Sequence, residues 1–146
     1  MNLRDWLQNQ WLTEHTASRE EISGLLAAIA RDLEECELEN LRPEWRLAIA
    51  YAAALRASTI ALAVTGFRAT RDQHHYRSIH SLRYTINADP GLIEELDFFR
   101  KKRNATMYDQ IQGISGHEAE RMIELAALLR DQIVKWLKEA HPDLME

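Results

Sequence analysis

Apolar residues recur three or four positions apart over two long segments of the chain, at about 18–40 and 115–140. This spacing predicts two amphipathic helices, each with one face in a core. Both segments begin with a serine followed three residues later by a glutamate, the signature of a helix capping box: Ser18 with Glu21, and Ser115 with Glu118. Pro142 ends the second segment.

A third segment between them is apolar almost all round. Pro43 suits the first turn of a helix, and Gly66 suits the position just after its last turn. Arg56 interrupts the apolar run from Leu47 to Gly66 near its centre. Because a membrane span needs about 20 uninterrupted apolar residues, we interpret this segment as a buried core helix, and we expect no membrane association.

Weaker patterns predict the remaining elements. A short apolar stripe from about His74 indicates a short helix, and a further helix is predicted from about Gly91 to Tyr108. The first dozen residues suit another short helix, and no segment alternates with the period of a strand. The sequence therefore predicts one domain, residues 1–146 with a core at about 18–140, folded as an all-α, four- to five-helix antiparallel bundle.

The charge is distributed unevenly. The net charge of −5 argues against a protein coated in cations for unspecific nucleic-acid binding. Residues 66–105, however, carry eight Lys or Arg against five Asp or Glu, hence +3, and three histidines besides. The rest of the chain carries ten against eighteen, hence −8. We therefore expect any surface that binds anions to lie in the middle third.

The single cysteine and the N-terminus bear on the cellular compartment. Cys36 cannot form an intramolecular disulfide, and a chain without disulfides suits a reducing compartment. We expect Cys36 to be a small buried side chain. Charged and amide side chains interrupt the first twelve residues, unlike the apolar run of a signal peptide. A cytoplasmic location is therefore expected.

The basic block at residues 100–103 divides on a helical wheel. With 100° per residue, Arg100 and Arg103 continue the apolar face of the predicted helix, whereas Lys101 and Lys102 lie on the opposite, solvated face. An inward arginine must be paired or must border a cleft, because burying an unpaired charge is costly.

The position of Arg103 on the helix is compatible with two interpretations. In the first, Arg103 closes a buried ion pair or a dimer contact, held by an acid such as Asp109 or Asp72. In the second, it belongs to an anion site, where the guanidinium group matches the geometry of a phosphate.

The residues Arg103, Asn104, Tyr108 and Asp109 lie on the penultimate long helix of a small all-α protein. This arrangement resembles the HEPN family, whose best-known signature is R-N-x-x-x-H and some of whose members carry R-N-x-x-x-Y-D. The resemblance covers roughly residues 18–140. It implies a HEPN-like bundle that forms a homodimer, with motif helices from two subunits lining a shared cleft.

The resemblance also implies several functions. Family members include modules that bind RNA, nucleotides or protein partners, partners of nucleotidyltransferase-type antitoxins in toxin–antitoxin or stress-defence systems, and metal-independent endoribonucleases. Tyr108 stands where the nuclease motif has histidine, and tyrosine, with a pKa of about 10, is a poor general base at neutral pH. We therefore favour a noncatalytic binding module with these binding residues: Arg100, Arg103, Asn104, Tyr108, Asp109, His74 and His75.

Two alternatives remain. An endoribonuclease would use Arg103, Asn104 and Tyr108 as its catalytic candidates, with a histidine of the basic middle third (His74, His75 or His80) as a substitute base. A structural dimerisation protein would use Arg103 only in a buried ion pair. We expect neither a metal nor another cofactor, because His75 and His80 are spaced unsuitably for two ligands on one helical face.

Overall fold

The computed structural model describes residues 1–109 and 113–145, without the side chains of residues 105–109. Within this part of the chain, four long helices form a bundle together with shorter elements, so the predicted all-α bundle is confirmed. The helices are α1 (Leu3–Gln8), α2 (Arg19–Glu35), α3 (Pro43–Thr65), α4 (His74–His80), α5 (Leu82–Thr85), α6 (Pro90–Asp109) and α7 (Gly116–Ala140), followed by a 3₁₀ turn at Pro142–Leu144.

Helix α3 is the centre of the bundle. It packs mainly against α2 and α7, and it also contacts α4, α5 and α6. Most of its alanines, including Ala50, Ala54, Ala57 and Ala61, are almost completely buried, and their small size lets the neighbouring helices approach closely. By length and composition α3 could cross a membrane, but 61% of its most apolar window is buried inside the protein, as in a core helix.

The ends of α3 follow the sequence signals. Pro43 occupies the first turn, and Gly66 ends the helix in the left-handed conformation with φ 109°. The interruption at Arg56 also has a structural reason. Its guanidinium forms an ion pair with Asp32 of α2, whose residue exposure is only 6%. The arginine therefore joins two core helices.

Both predicted capping serines cap their helices. Ser115 and Glu118 bond reciprocally, whereas Ser18 accepts from the Glu21 N–H and the Glu21 carboxylate instead lies 2.8 Å from His15 Nε2. The predicted end of α2 near residue 40 is wrong, since the helix ends at Glu35.

A contact from α3 accounts for the earlier end of α2. Arg46 donates from Nε to the Cys36 carbonyl at 2.8 Å, which satisfies that carbonyl without a further helical turn. Cys36 is buried as expected, and burial raises the pKa of its thiol to about 11.

Two short strands are present that the sequence did not predict. β1 (Leu12–Glu14) pairs antiparallel with β2 (Phe67–Ala69), so that Leu12 faces Ala69. Three residues are too few for an alternating pattern, and the pairing depends on contacts more than 50 residues apart in the chain. The pair holds the first part of the segment between α3 and α4 against the residues that follow α1.

Candidate anion-binding site

A cleft of about 700 Å³ lies where the N-terminus of α4 faces the C-terminal half of α6. Cationic, imidazole, amide and phenol side chains line it: Arg71, Gln73, His74, His75, Tyr76, Arg100, Arg103 and Asn104. None of the described residues that line the cleft is a carboxylate. The lining therefore favours negatively charged ligands.

Local backbone structure places these residues together. On α6, Arg100, Arg103 and Asn104 are three and four positions apart and share one face of the helix. On the opposite side, Gln73 precedes α4 in a left-handed conformation with φ 53°, and the next three residues form the first turn. Packing between α4 and α6 brings the two sets to one cleft.

Arg103 is partly buried against α3. Its Cζ lies 5.7 Å from the centroid of the Tyr51 ring, and its Nη1 donates to Asn104 Oδ1 at 3.3 Å. Its Nε is buried and has no acceptor among the described residues. No described carboxylate forms an ion pair with Arg103, and Asp72 is exposed. The pair with Asp72 is therefore absent.

Arg100, in contrast, has a carboxylate partner. Its Nε donates to Asp97 Oδ1 at 2.8 Å, and Lys101 Nζ lies 3.4 Å from the other oxygen of that group. Burial alone raises the pKa of Asp97, but the hydrogen bond and charge of Arg100 outweigh it, so this pKa lies below its usual value. Arg100 also lies over the Tyr76 ring, at 5.4 Å from Cζ to centroid. Its charge is thus partly balanced and its position is held from two sides.

His75 is anchored from the core. Its Nδ1 lies 3.1 Å from the hydroxyl oxygen of Tyr51, a residue of α3 that is 1% exposed. Burial, followed by the charge of Arg103, lowers the pKa of His75. Burial and the charge of Arg68 lower the pKa of His74. Both imidazoles are therefore mostly neutral near pH 7.

The structure thus brings five predicted site residues to one cleft: Arg100, Arg103, Asn104, His74 and His75. The two histidines begin α4 and are partly buried. The side chains of Tyr108 and Asp109, also predicted for the site, lie outside the described residues, and so does an Arg103–Asp109 pair.

Five residues contribute to the site that the sequence does not predict for it: Tyr51, Arg71, Gln73, Tyr76 and Asp97. Tyr51 was assigned only to the core, and Tyr76 to an apolar stripe, although it is 37% exposed and lines the cleft. One available signal was that Tyr51 is the only tyrosine in an alanine-rich helix. Asp97 lies three residues before Arg100, and this spacing on a helix favours an ion pair between the two side chains.

Two basic residues lie between elements of the fold, and one of them, Lys102, differs from its expected solvated position. Lys102 Nζ lies 3.0 Å from Glu118 Oε2, because this side of α6 faces the start of α7 instead of open solvent. Arg77 is only 8% exposed and lies over the Trp11 ring, at 4.1 Å from Cζ to centroid. Both residues therefore stabilise contacts between elements, and neither lines the cleft.

Neither a search for metal-binding clusters nor a comparison with known proteins identifies a ligand for the cleft. Within residues 1–109 and 113–145, no three His, Cys, Asp or Glu side chains are grouped as metal ligands would be. Comparisons with protein-family models, curated proteins and solved structures found no match to this chain. The chemistry of the cleft is therefore the basis for proposing a function.

Proposed function

We propose that the cleft binds the phosphate groups of a nucleotide or an RNA segment, and that the protein is a noncatalytic, HEPN-like binding module. The observation that carries this proposal is the state of Arg103. Its guanidinium is partly buried, one of its nitrogens has no acceptor among the described residues, and it borders a cleft lined by further cations.

The electrostatics of the cleft support a phosphate ligand. Arg103 forms no ion pair with a carboxylate among the described residues, and a phosphate in the cleft would supply the opposite charge and oxygen acceptors for its guanidinium group. Arg100 is partly neutralised by Asp97, but Arg71 is exposed at the rim and lacks an ion pair among the described residues. Arg71 and Arg103 therefore supply most of the positive potential that attracts an anion.

The other lining residues favour a ligand that carries a base in addition to phosphate. Tyr76 is 37% exposed and its ring stacks on His80, with 4.2 Å between the ring centroids, and a nucleobase can extend such an aromatic stack. Gln73 and Asn104 add amide groups, which can hydrogen-bond to base edges or to a ribose. This combination suits a nucleotide or RNA better than an inorganic anion.

A binding experiment with matched variants tests the proposal. AMP and a fluorescein-labelled single-stranded RNA of mixed sequence are titrated into wild type, Arg103→Ala and Arg130→Ala at low and moderate salt. Arg130 is an arginine of α7, paired with Asp131 and outside the cleft lining, so its variant removes the same charge elsewhere. Loss of a charge-assisted hydrogen bond predicts about tenfold or more weaker binding for Arg103→Ala, with little change for Arg130→Ala. No binding by wild type at low salt, or equal losses in both variants, would refute the proposal.

A second candidate function, metal-independent endoribonuclease, is favoured by the location of His75. This histidine lies in the same cleft as Arg100 and Arg103, so a base and cations are close together without a histidine at position 108. The test is incubation with the same RNA in EDTA at neutral pH. Cleavage that disappears in both Arg103→Ala and His75→Gln would replace the noncatalytic proposal.

The homodimer implied by the family resemblance belongs to the same proposal. Phe98, on the helix that carries the cleft arginines, is 51% exposed and offers apolar surface for such a contact. Light scattering after gel filtration measures the oligomeric state directly. The nucleotidyltransferase-type partner, the structural role for Arg103 and the cytoplasmic location stay predictions.

A further inference from the structure

The proton of the Tyr51 hydroxyl determines the chemistry that His75 can offer to a ligand. Tyr51 is 1% exposed, and the hydrogen-bond partner of its hydroxyl among the described residues is His75 Nδ1, at 3.1 Å. A buried hydroxyl that fails to donate is disfavoured, because it loses its bonds to water and gains nothing in exchange. The Tyr51 O–H therefore donates, and Nδ1 accepts.

This direction of donation fixes the tautomer of His75. A neutral imidazole carries one proton, so an accepting Nδ1 places the proton on Nε2. The opposite arrangement, with Nδ1–H donating to the Tyr51 oxygen, leaves the buried phenol proton without an acceptor among the described residues. The Nε2–H form is the one in which both groups are satisfied.

The groups around His75 disfavour protonation of its neutral imidazole. Arg103 and Arg100 face it from α6, His74 adjoins it on α4, and Tyr51 contacts it from α3. Burial and the positive charges disfavour the imidazolium form, and no carboxylate lines the cleft among the described residues. Near pH 7 His75 is therefore mostly neutral, whereas the arginines are fully charged.

We infer that Tyr51 holds His75 as the Nε2–H tautomer, and that this N–H donates to a phosphate oxygen of the ligand beside Arg103. The inference rests on the proposed function for its ligand. Tyr51 is then a positioning residue and His75 a binding residue. A base that deprotonates a ribose 2′-OH needs a free lone pair on the nitrogen that faces the substrate. In His75 the lone pair lies on Nδ1 and is occupied by Tyr51.

Nitrogen NMR of wild-type protein tests the tautomer directly. The protein is labelled with ¹⁵N-histidine, and the His75 signals are assigned by their loss in His75→Gln. At pH 7.5 we expect Nδ1 to show the chemical shift of an unprotonated nitrogen and Nε2 that of a proton-bearing one. Tyr51→Phe removes the donor, so the His75 signals should shift toward a mixture of tautomers. A proton on Nδ1 in wild type would overturn the inference, whether or not the protein binds RNA.

A pair of amide substitutions tests the role of the Nε2–H in binding. The glutamine NH₂ can occupy the position of imidazole Nε2, whereas the shorter asparagine places its NH₂ near that of Nδ1. With the labelled RNA as probe, His75→Asn should bind about tenfold more weakly than wild type, and His75→Gln should recover part of that loss. Equal losses in the two variants would overturn the donor role but leave the anion site supported by Arg103→Ala. Absence of wild-type binding would refute the proposed function and the donor role together, while the NMR result would still decide the tautomer.

Discussion

Replacing Arg103 by methionine distinguishes a cleft arginine from a structural one. Methionine keeps most of the aliphatic volume of the side chain but removes the charge and all five N–H donors. The matched variant is Arg56→Met, because Arg56 is a partly buried arginine whose carboxylate partner is known. Its partner, Asp32, is 6% exposed, and the two side chains form a direct ion pair between α2 and α3.

The structure predicts different magnitudes for the two variants. Arg56→Met leaves a buried carboxylate without its cation, a change that costs roughly 3–5 kcal/mol. The Arg56 side chain is 35% exposed, so we expect the lower end of that range. Arg103→Met removes a cation–π contact worth about 0.5–1 kcal/mol and a long hydrogen bond to Asn104, but it also removes a buried nitrogen without an acceptor. These effects nearly cancel, so the change should be within about 1 kcal/mol of zero.

Urea unfolding at pH 7, followed by circular dichroism, measures both free energies. Thermal unfolding should agree, with a decrease of about 6–12 °C for Arg56→Met and a few degrees at most for Arg103→Met. If Arg103→Met destabilises the protein as much as Arg56→Met does, Arg103 has a structural counter-ion. The dimer or ion-pair interpretation would then replace the anion site.

Two further predictions concern the ion pair between Asp97 and Arg100 and the left-handed glycine that ends α3. Asp97→Asn should lower the free energy of unfolding at pH 7 by roughly 1–3 kcal/mol, because Arg100 loses its partner. The pKa of Asp97 is lowered by folding, so this stabilisation exists above the unfolded pKa of about 4 and disappears as the pH falls through the folded value. Urea unfolding at pH 7 and pH 3 should show the difference shrinking, and a constant difference would contradict the ion pair. Gly66→Ala should lower the free energy of unfolding by about 1–2 kcal/mol, because φ is 109° at this position. Gly24→Ala, in open space within α2, should instead raise it by about 0.5–1 kcal/mol. Equal effects of the two substitutions would contradict the strain argument.

Local signals explain the parts of the fold that the sequence predicts well. Pro43 and Gly66 act within one helical turn, so the bounds of α3 could be found from the residues themselves. The end of α2 depends on Arg46, which donates to the carbonyl of the capping residue Cys36 from another helix. The strands depend likewise on Leu12 meeting Ala69. Such contacts require the tertiary structure and leave no periodic pattern in the sequence.

The same distinction applies to the candidate site. Arg100, Arg103 and Asn104 lie within two turns of one helix, so a helical wheel places them on one face. Tyr51 is about 50 residues earlier, in a helix that the pattern marks only as core. Its role depends on which neighbours pack against that helix, and hydrophobic periodicity carries no information about them.

Tyr51 connects the two halves of the site through the core. It contacts Arg103 from α6 through its ring face and His75 from α4 through its hydroxyl, and α3 itself is held by α2 and α7. The arginine and the imidazole are therefore positioned relative to one helix, which is the arrangement that the proposed phosphate ligand would require. Loss of the hydroxyl alone should release His75 and leave Arg103 in place, whereas loss of the whole ring should displace both. Tyr51, which the sequence marks only as a core residue, thus positions Arg103 and His75, the residues that the sequence marks as candidates for the site.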